Sequence, residues 1–240
     1  MSQLEEVNPQ VCARVGGILY LVIIAAGLFG ELGVRHRLVV SGDAAATAAN
    51  ILASEGLWRV GVVGDLVMHV CDIPLMVIFY VLLKPINKYL ALLGVLFTLV
   101  QTAALVAFKL HLLVALFLAG DPGYLNAFQP AQRQALMYVF IKADGYGFGI
   151  GLIFFGCSCL IVGHLIWRSS YLPRTIGAMM QIGGVCYLAN SFALLLSPRV
   201  AAALSPAILV PSGVAELSLC LWLLLKGVDV ERWRARTHAA

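Results

Sequence analysis

Six long apolar runs dominate this sequence, and each is long enough to cross a bilayer. A helix rises ~1.5 Å per residue, so about 20 apolar residues span a hydrocarbon core ~30 Å thick. Residues 14–34, 57–83, 88–118, 137–167, 174–195 and 205–225 meet that requirement. In lipid every exposed backbone group has to bond within its own segment, so these runs predict helices and not open strands. The expected fold class is all-α, a polytopic membrane helix bundle with six transmembrane helices. The breaks carry turn chemistry: Lys84-Pro85-Ile86-Asn87, Gly120-Asp121-Pro122-Gly123, residues 169–173 and Ser197-Pro198-Arg199. Residues 43–54 are Ala-rich and follow Ser41-Gly42, which predicts a short external helix after the first span. Residues 130–136 read as the start of another helix, since proline is tolerated in a first turn.

Composition agrees. Only 12% of the 240 residues are charged and mean hydropathy is +0.94, whereas soluble domains are about 25% charged. That deficit excludes an ordinary soluble enzyme, a disordered chain and a protein that grips phosphates with a basic face. The net charge of +4 implies no nucleic-acid partner. The length suits one membrane domain over residues 14–227, with tails at 1–13 and 228–240. Glu5 and Glu6 precede the first run where a secretory signal would be basic, so that run is expected to stay in the mature protein. With both termini in the cytoplasm, nine Lys and Arg fall inside and five outside, namely Arg35, Arg37, Arg59, Arg133 and Arg199. The bias favours this orientation in a cell (cytoplasmic) membrane.

Six cysteines are present, five of them within apolar runs, with no Cys-x-x-Cys. Cys157 and Cys159 point about 200° apart on a helix, so the thiols read as small apolar side chains. No metal and no cofactor is expected.

Ionisable residues inside the runs are the most informative feature, because each costs a few kcal/mol at membrane depth and normally faces a partner. Asp65, His69 and Asp72 fall within about 60° of one another on the second span. Lys109 and His111 lie on the third, Glu216 is central in the sixth, and Asn190 sits in the fifth. Glu31 ends the first span, and Asp144 and Tyr146 open the fourth. Counted from their span centres, Asp65 and Lys109 are level, which predicts an ion pair between them. Asp72, His69 and Glu216 have no equally obvious cation and are the candidate catalytic residues. Asp65, Lys109, His111, Asp144, Asn190, Glu31 and Tyr146 would line a polar cavity opening away from the cytoplasm.

The fourth run reads Gly145-Tyr146-Gly147-Phe148-Gly149-Ile150-Gly151. No strand precedes it and no Lys-Ser/Thr follows, so it is no phosphate loop. Its glycine density predicts a close helix contact and a bend or break. Trp58, Tyr80, Tyr89, Trp167, Tyr171 and Trp222 fall near span ends, as interfacial aromatic belts do, and His164 reads as amphipathic.

The strings Ala13-Arg14-Val15-Gly16-Gly17-Ile18-Leu19-Tyr20, Ser41-Gly42-Asp43-Ala44-Ala45-Ala46-Thr47 and Tyr80-Val81-Leu82-Leu83-Lys84-Pro85-Ile86-Asn87 carry a resemblance, together with Gly145-Tyr146-Gly147-Phe148 and Tyr171-Leu172-Pro173. In combination the chain resembles a bacterial and archaeal integral membrane family catalogued as domain of unknown function 4386. The resemblance implies a small multi-spanning protein and no activity to carry over.

Three functions fit these residues. The first is a protein that handles a lipid, isoprenoid or other small apolar molecule, including by acid catalysis from Asp72 or Glu216. The second is a proton- or cation-coupled transporter, although the two halves show no clear repeat. The third is a structural or stress-related protein whose buried charges only pair helices. Whether it is an enzyme is left open. The expected partners are membrane lipids and a lipid or isoprenoid ligand, with oligomerisation unassigned.

Overall fold

The structure is a computed structural model, and it describes residues 8–120 and 123–238. Asp121 and Pro122 of the expected third break, and the acidic Glu5 and Glu6, lie outside the described residues. Among those described there are nine helices and no strand. They are α1 (Pro9–Leu38), α2 (Ala44–Ala53), α3 (Glu55–Leu83), α4 (Lys88–Ala119), α5 (Pro130–Ser169), α6 (Arg174–Leu196), α7 (Pro198–Leu204), α8 (Ala207–Leu225) and α9 (Val230–His238). Six of them (α1, α3, α4, α5, α6 and α8) are long and apolar enough to cross a membrane.

Local chemistry sets the helix starts. Asp43 Oδ1 accepts from the Ala46 backbone N–H at 2.8 Å, which caps α2 at the start of the Ala-rich stretch. Gly42 takes a left-handed φ of +82°, the turn that leads into that cap. Asn87 Oδ1 accepts from the N–H groups of Tyr89 and Leu90, both at 3.0 Å, and so starts α4 after Lys84-Pro85. Within α1, Phe29–Arg35 is π-helical. Such a segment holds more residues per turn, so side chains beyond it leave the face that α-helical counting assigns.

Two expectations about α5 need correction. Residues 130–136 are not a separate helix start but the first turns of the span itself. Nor is the chain broken at residues 145–151, because α5 runs as one helix of 40 residues, about 60 Å. Its glycines make room for neighbours, as the expected close helix contact requires. A Cβ on Gly147 would strike the Phe108 ring, one on Gly156 would sit 2.9 Å from Gly184 O, and one on Gly163 would sit 2.6 Å from Gly177 O.

The chain divides into two compact units. The smaller comprises Ile23–Val70 and Ala103–Phe148. Its core includes Val34, Leu38, Ile51, Trp58, Leu112 and Met137. Trp58 is 1% exposed and its Nε1 donates to Leu112 O at 2.9 Å. It is therefore a core residue and not the belt residue its place near a span end suggested, since a buried indole N–H needs an acceptor.

The larger unit comprises Met1–Val22, Cys71–Thr102 and Gly149–Ala240. Here the Leu82 carbonyl, at the end of α3, accepts from Tyr171 Oη at 2.6 Å and from Trp233 Nε1 at 3.1 Å. Tyr171 is thus also buried within the protein and does not present its ring at the surface. Burial pushes its phenol well above the usual value, which keeps the group a neutral donor. Trp233 docks α9, so the residues after 228 carry a helix anchored by a buried indole. Tyr89 and Trp167 remain exposed.

Candidate functional site

Two sets of polar side chains occupy the spans, one in each unit. In the smaller unit, Asp65 of α3 is 1% exposed and stands between two cations. Arg35 Nη1 of α1 donates to its Oδ2 at 2.6 Å and Nη2 to its Oδ1 at 3.4 Å. Lys109 Nζ of α4 lies 3.4 Å from the same Oδ2. Lys109 also donates to Asp144 of α5, at 3.1 and 3.3 Å to the two oxygens. Arg35 Nε reaches outward to Glu31 Oε2 at 2.8 Å, where the carboxylate is exposed. Two buried carboxylates and two cations therefore balance, and four spans share one network.

The level pairing of Asp65 and Lys109 was legible in the sequence, but the closer partner was not. Arg35, counted there as an external charge, is turned onto Asp65 by the π-helical end of α1. Gly30, one turn before Glu31's partner Arg35, leaves the space: a Cβ there would collide with Asp65 Oδ1 and lie 3.1 Å from Arg35 Nη2.

Other expected members fall elsewhere. His111 is two residues from Lys109, about 200° around the helix. Its ring packs against Phe108 and Phe140, at 5.2 and 5.5 Å between centroids, and its Nδ1 is 3.1 Å from Phe108 O. Tyr146 is likewise two residues past Asp144 and is exposed. His69 is buried in the smaller unit with Asp65. Asn190 is half-buried in the larger unit.

The second set surrounds Glu216 of α8, in the larger unit. Tyr20 Oη of α1 donates to its Oε2 at 3.1 Å, and Tyr187 Oη of α6 donates to its Oε1 through a short hydrogen bond. Close helix approaches bring these residues together. A Cβ on Gly17 would sit 2.6 Å from Leu224 N, and Cys220 Sγ contacts Gly17 O at 3.5 Å. Tyr20 lies one turn after Gly17 and Glu216 one turn before Cys220. On the other side Ser212 Oγ donates to Gly183 O at 2.9 Å. Tyr187 and Glu216 each lie one turn beyond that contact, and long side chains lean toward their own helix N-terminus, so both reach back to it.

Each tyrosine is backed by a phenylalanine. Tyr20 meets Phe79 of α3 edge-to-face at 6.2 Å, and Tyr187 meets Phe155 of α5 at 5.6 Å. Five spans thus contribute to a carboxyl group with aromatic walls. Each carboxylate oxygen has about two lone-pair sites, and each receives one hydroxyl, so acceptor capacity remains for a further donor. In the same unit Asp72 Oδ2 accepts from Thr102 Oγ1 at 3.1 Å.

Tyr20 and Tyr187 are site residues that the sequence does not single out, because neither carries a charge and neither lies at a span end. The available signal was that a mid-span phenol needs a polar partner. Among the described residues, no group of three or more His, Cys, Asp or Glu side chains could hold a metal ion.

The profile of a family described as Domain of unknown function (DUF4386) matches residues 15–227. An uncharacterized protein of the archaeon Archaeoglobus fulgidus is 26% identical over 129 residues, which is 53% of this chain. The match spans 62% of that relative's length. No solved structure matches the chain.

Proposed function

The chain belongs to the DUF4386 family, and within that frame we propose that it is a multi-pass membrane protein handling a small apolar molecule that carries positive charge. Glu216 is the countercharge and exchanges a proton for that ligand. The observation that supports this reading is the pair of tyrosine hydroxyls on Glu216, each ring backed by a phenylalanine. Two phenol O–H groups already donate to Glu216, so its carboxyl is held in place as an acceptor. A carboxylate in an apolar setting calls for a proton or a cation, and aromatic rings add attraction for organic cations, worth about 2 kcal/mol or more when desolvated. Transport and acid catalysis both follow from such a group, and both begin with its occupancy.

The test is equilibrium binding of tetraphenylphosphonium to the purified protein, in the wild type and in Glu216→Gln. Saturable binding that is lost in the variant is expected. Equal binding by both proteins, or none by either, refutes the proposal.

A second reading applies to the other set. The balanced charges of Arg35, Asp65, Lys109 and Asp144 support an interhelical clamp and not a ligand cavity, because every member has an opposite charge within 3.4 Å.

A further inference from the structure

The end of α5 and the start of α6 form an open-sided groove of about 510 Å³, lined by His164, Trp167, Arg168, Ala178, Gln181 and Ile182. Volumes of about 300–1,000 Å³ are usual for small-molecule sites. The lining repeats one pattern twice. Residues 164, 167 and 168 follow the i, i+3, i+4 spacing of one helix face, and residues 178, 181 and 182 do the same on the other. The helices come together here because Gly163 and Gly177 lack side chains, with each Cβ position under 3 Å from the opposing carbonyl. Two ridges of longer side chains are left flanking the seam.

Its chemistry is that of a membrane interface and not of the apolar interior. Arg168 is the penultimate residue of a span, Trp167 is 46% exposed beside it, and Ile182 on the opposite wall is exposed. Arg174, at the first position of α6 and one turn before Ala178, adds a second cation on the same helix face. Among the described residues no carboxylate is paired with Arg168. A guanidinium with free donors, an imidazole and a carboxamide therefore meet an exposed indole and an exposed isoleucine.

We propose that this groove binds an anionic phospholipid, with Arg168, His164 and Gln181 holding the headgroup phosphate and Trp167 and Ile182 flanking its acyl chains. Basic pockets between membrane helices favour such headgroups, and the planar guanidinium fits phosphate oxygens with two parallel N–H donors. The site is independent of Glu216, so the two proposals stand or fall separately.

Native mass spectrometry of the detergent-purified full chain tests it, with phosphatidylglycerol and phosphatidylcholine added in equal amounts. The wild type is expected to retain phosphatidylglycerol at least fivefold over phosphatidylcholine. Arg168→Gln is expected to cut that preference about fivefold, the worth of one cation near a charged headgroup, and His164→Gln with Arg168→Gln to abolish it. Gln181→Glu, which keeps both basic residues and places a negative charge in the groove, is expected to abolish it too. Equal retention of the two lipids overturns the proposal, as does a preference unchanged in Gln181→Glu. Displacement of phosphatidylglycerol by millimolar inorganic phosphate also overturns it, in favour of a site for the free anion.

Discussion

Asp65→Asn is the sharpest perturbation of the charged network, and the structure says which second change will relieve it. Asp65 is the only carboxylate shared by two cations in the described network, with Arg35 at 2.6 Å and Lys109 at 3.4 Å. Neutralising it leaves both cations in place with one carboxylate fewer. Removing one partner of a buried pair costs about 3–5 kcal/mol in soluble proteins, while polar contacts between membrane helices measure about 1–2 kcal/mol. An intermediate loss of about 3 kcal/mol corresponds to a drop of about 6–12 °C in Tm for a chain of this size. Two double variants then differ. Arg35→Gln removes the nearer cation and leaves Lys109 with Asp144 at 3.1 Å. Lys109→Met removes the farther cation but deprives Asp144 of its partner. Thermal unfolding in detergent should therefore show Asp65→Asn/Arg35→Gln recovering more than half of the single-variant loss and Asp65→Asn/Lys109→Met recovering less. Strict additivity in the Arg35 cycle would mean no coupling across that pair. Better rescue by Lys109→Met would mean that the hierarchy of distances carries no energetic weight.

Other changes probe separate contacts. Gly30→Ala should destabilise the fold by about 1–3 kcal/mol, the cost of an overpacked core site, because its Cβ meets Asp65 Oδ1; differential scanning fluorimetry reads the fall in Tm, and an unchanged Tm contradicts the close approach. Trp58→Phe should cost about 1 kcal/mol for the lost bond to Leu112 O, measured by chemical denaturation, whereas Trp167→Phe should leave stability within about 0.5 kcal/mol. Asp43→Ala should cost about 1 kcal/mol through the lost cap of α2, seen as faster amide exchange over residues 44–47. Tyr20→Phe with Tyr187→Phe should weaken tetraphenylphosphonium binding less than Glu216→Gln does, since the charge remains; equal loss would make the hydroxyls the primary contacts.

The fold was legible because span length is dictated by the bilayer, and the Ala-rich stretch after Ser41-Gly42 and the Lys84-Pro85 break are local signals that need no tertiary knowledge. The Asp65–Lys109 pair was legible for a related reason, since depth can be counted along a straight helix. Counting failed at Arg35, where a π-helical segment changes the register; at α5 the glycine-dense run makes the close contacts its composition predicts, with Phe108 among its neighbours, but does not break the helix. Trp58 and Tyr171 were misplaced because proximity to a span end is a property of the sequence, while the carbonyls of Leu112 and Leu82 that take their protons are supplied by other helices. The surroundings of Glu216 were hidden for the same cause: phenols on α1 and α6 meet α8 only through the small-residue contacts at Gly17 and Gly183.

Carbodiimide labelling addresses the proposed role of Glu216 most directly. Dicyclohexylcarbodiimide adds to a protonated carboxyl in an apolar setting and marks that residue for peptide mapping by mass spectrometry. Modification at Glu216 that tetraphenylphosphonium suppresses in a concentration-dependent way is the expected result, since proton and organic cation compete for one group. A Glu216 that stays unlabelled, or that labels equally with and without the cation, would contradict it.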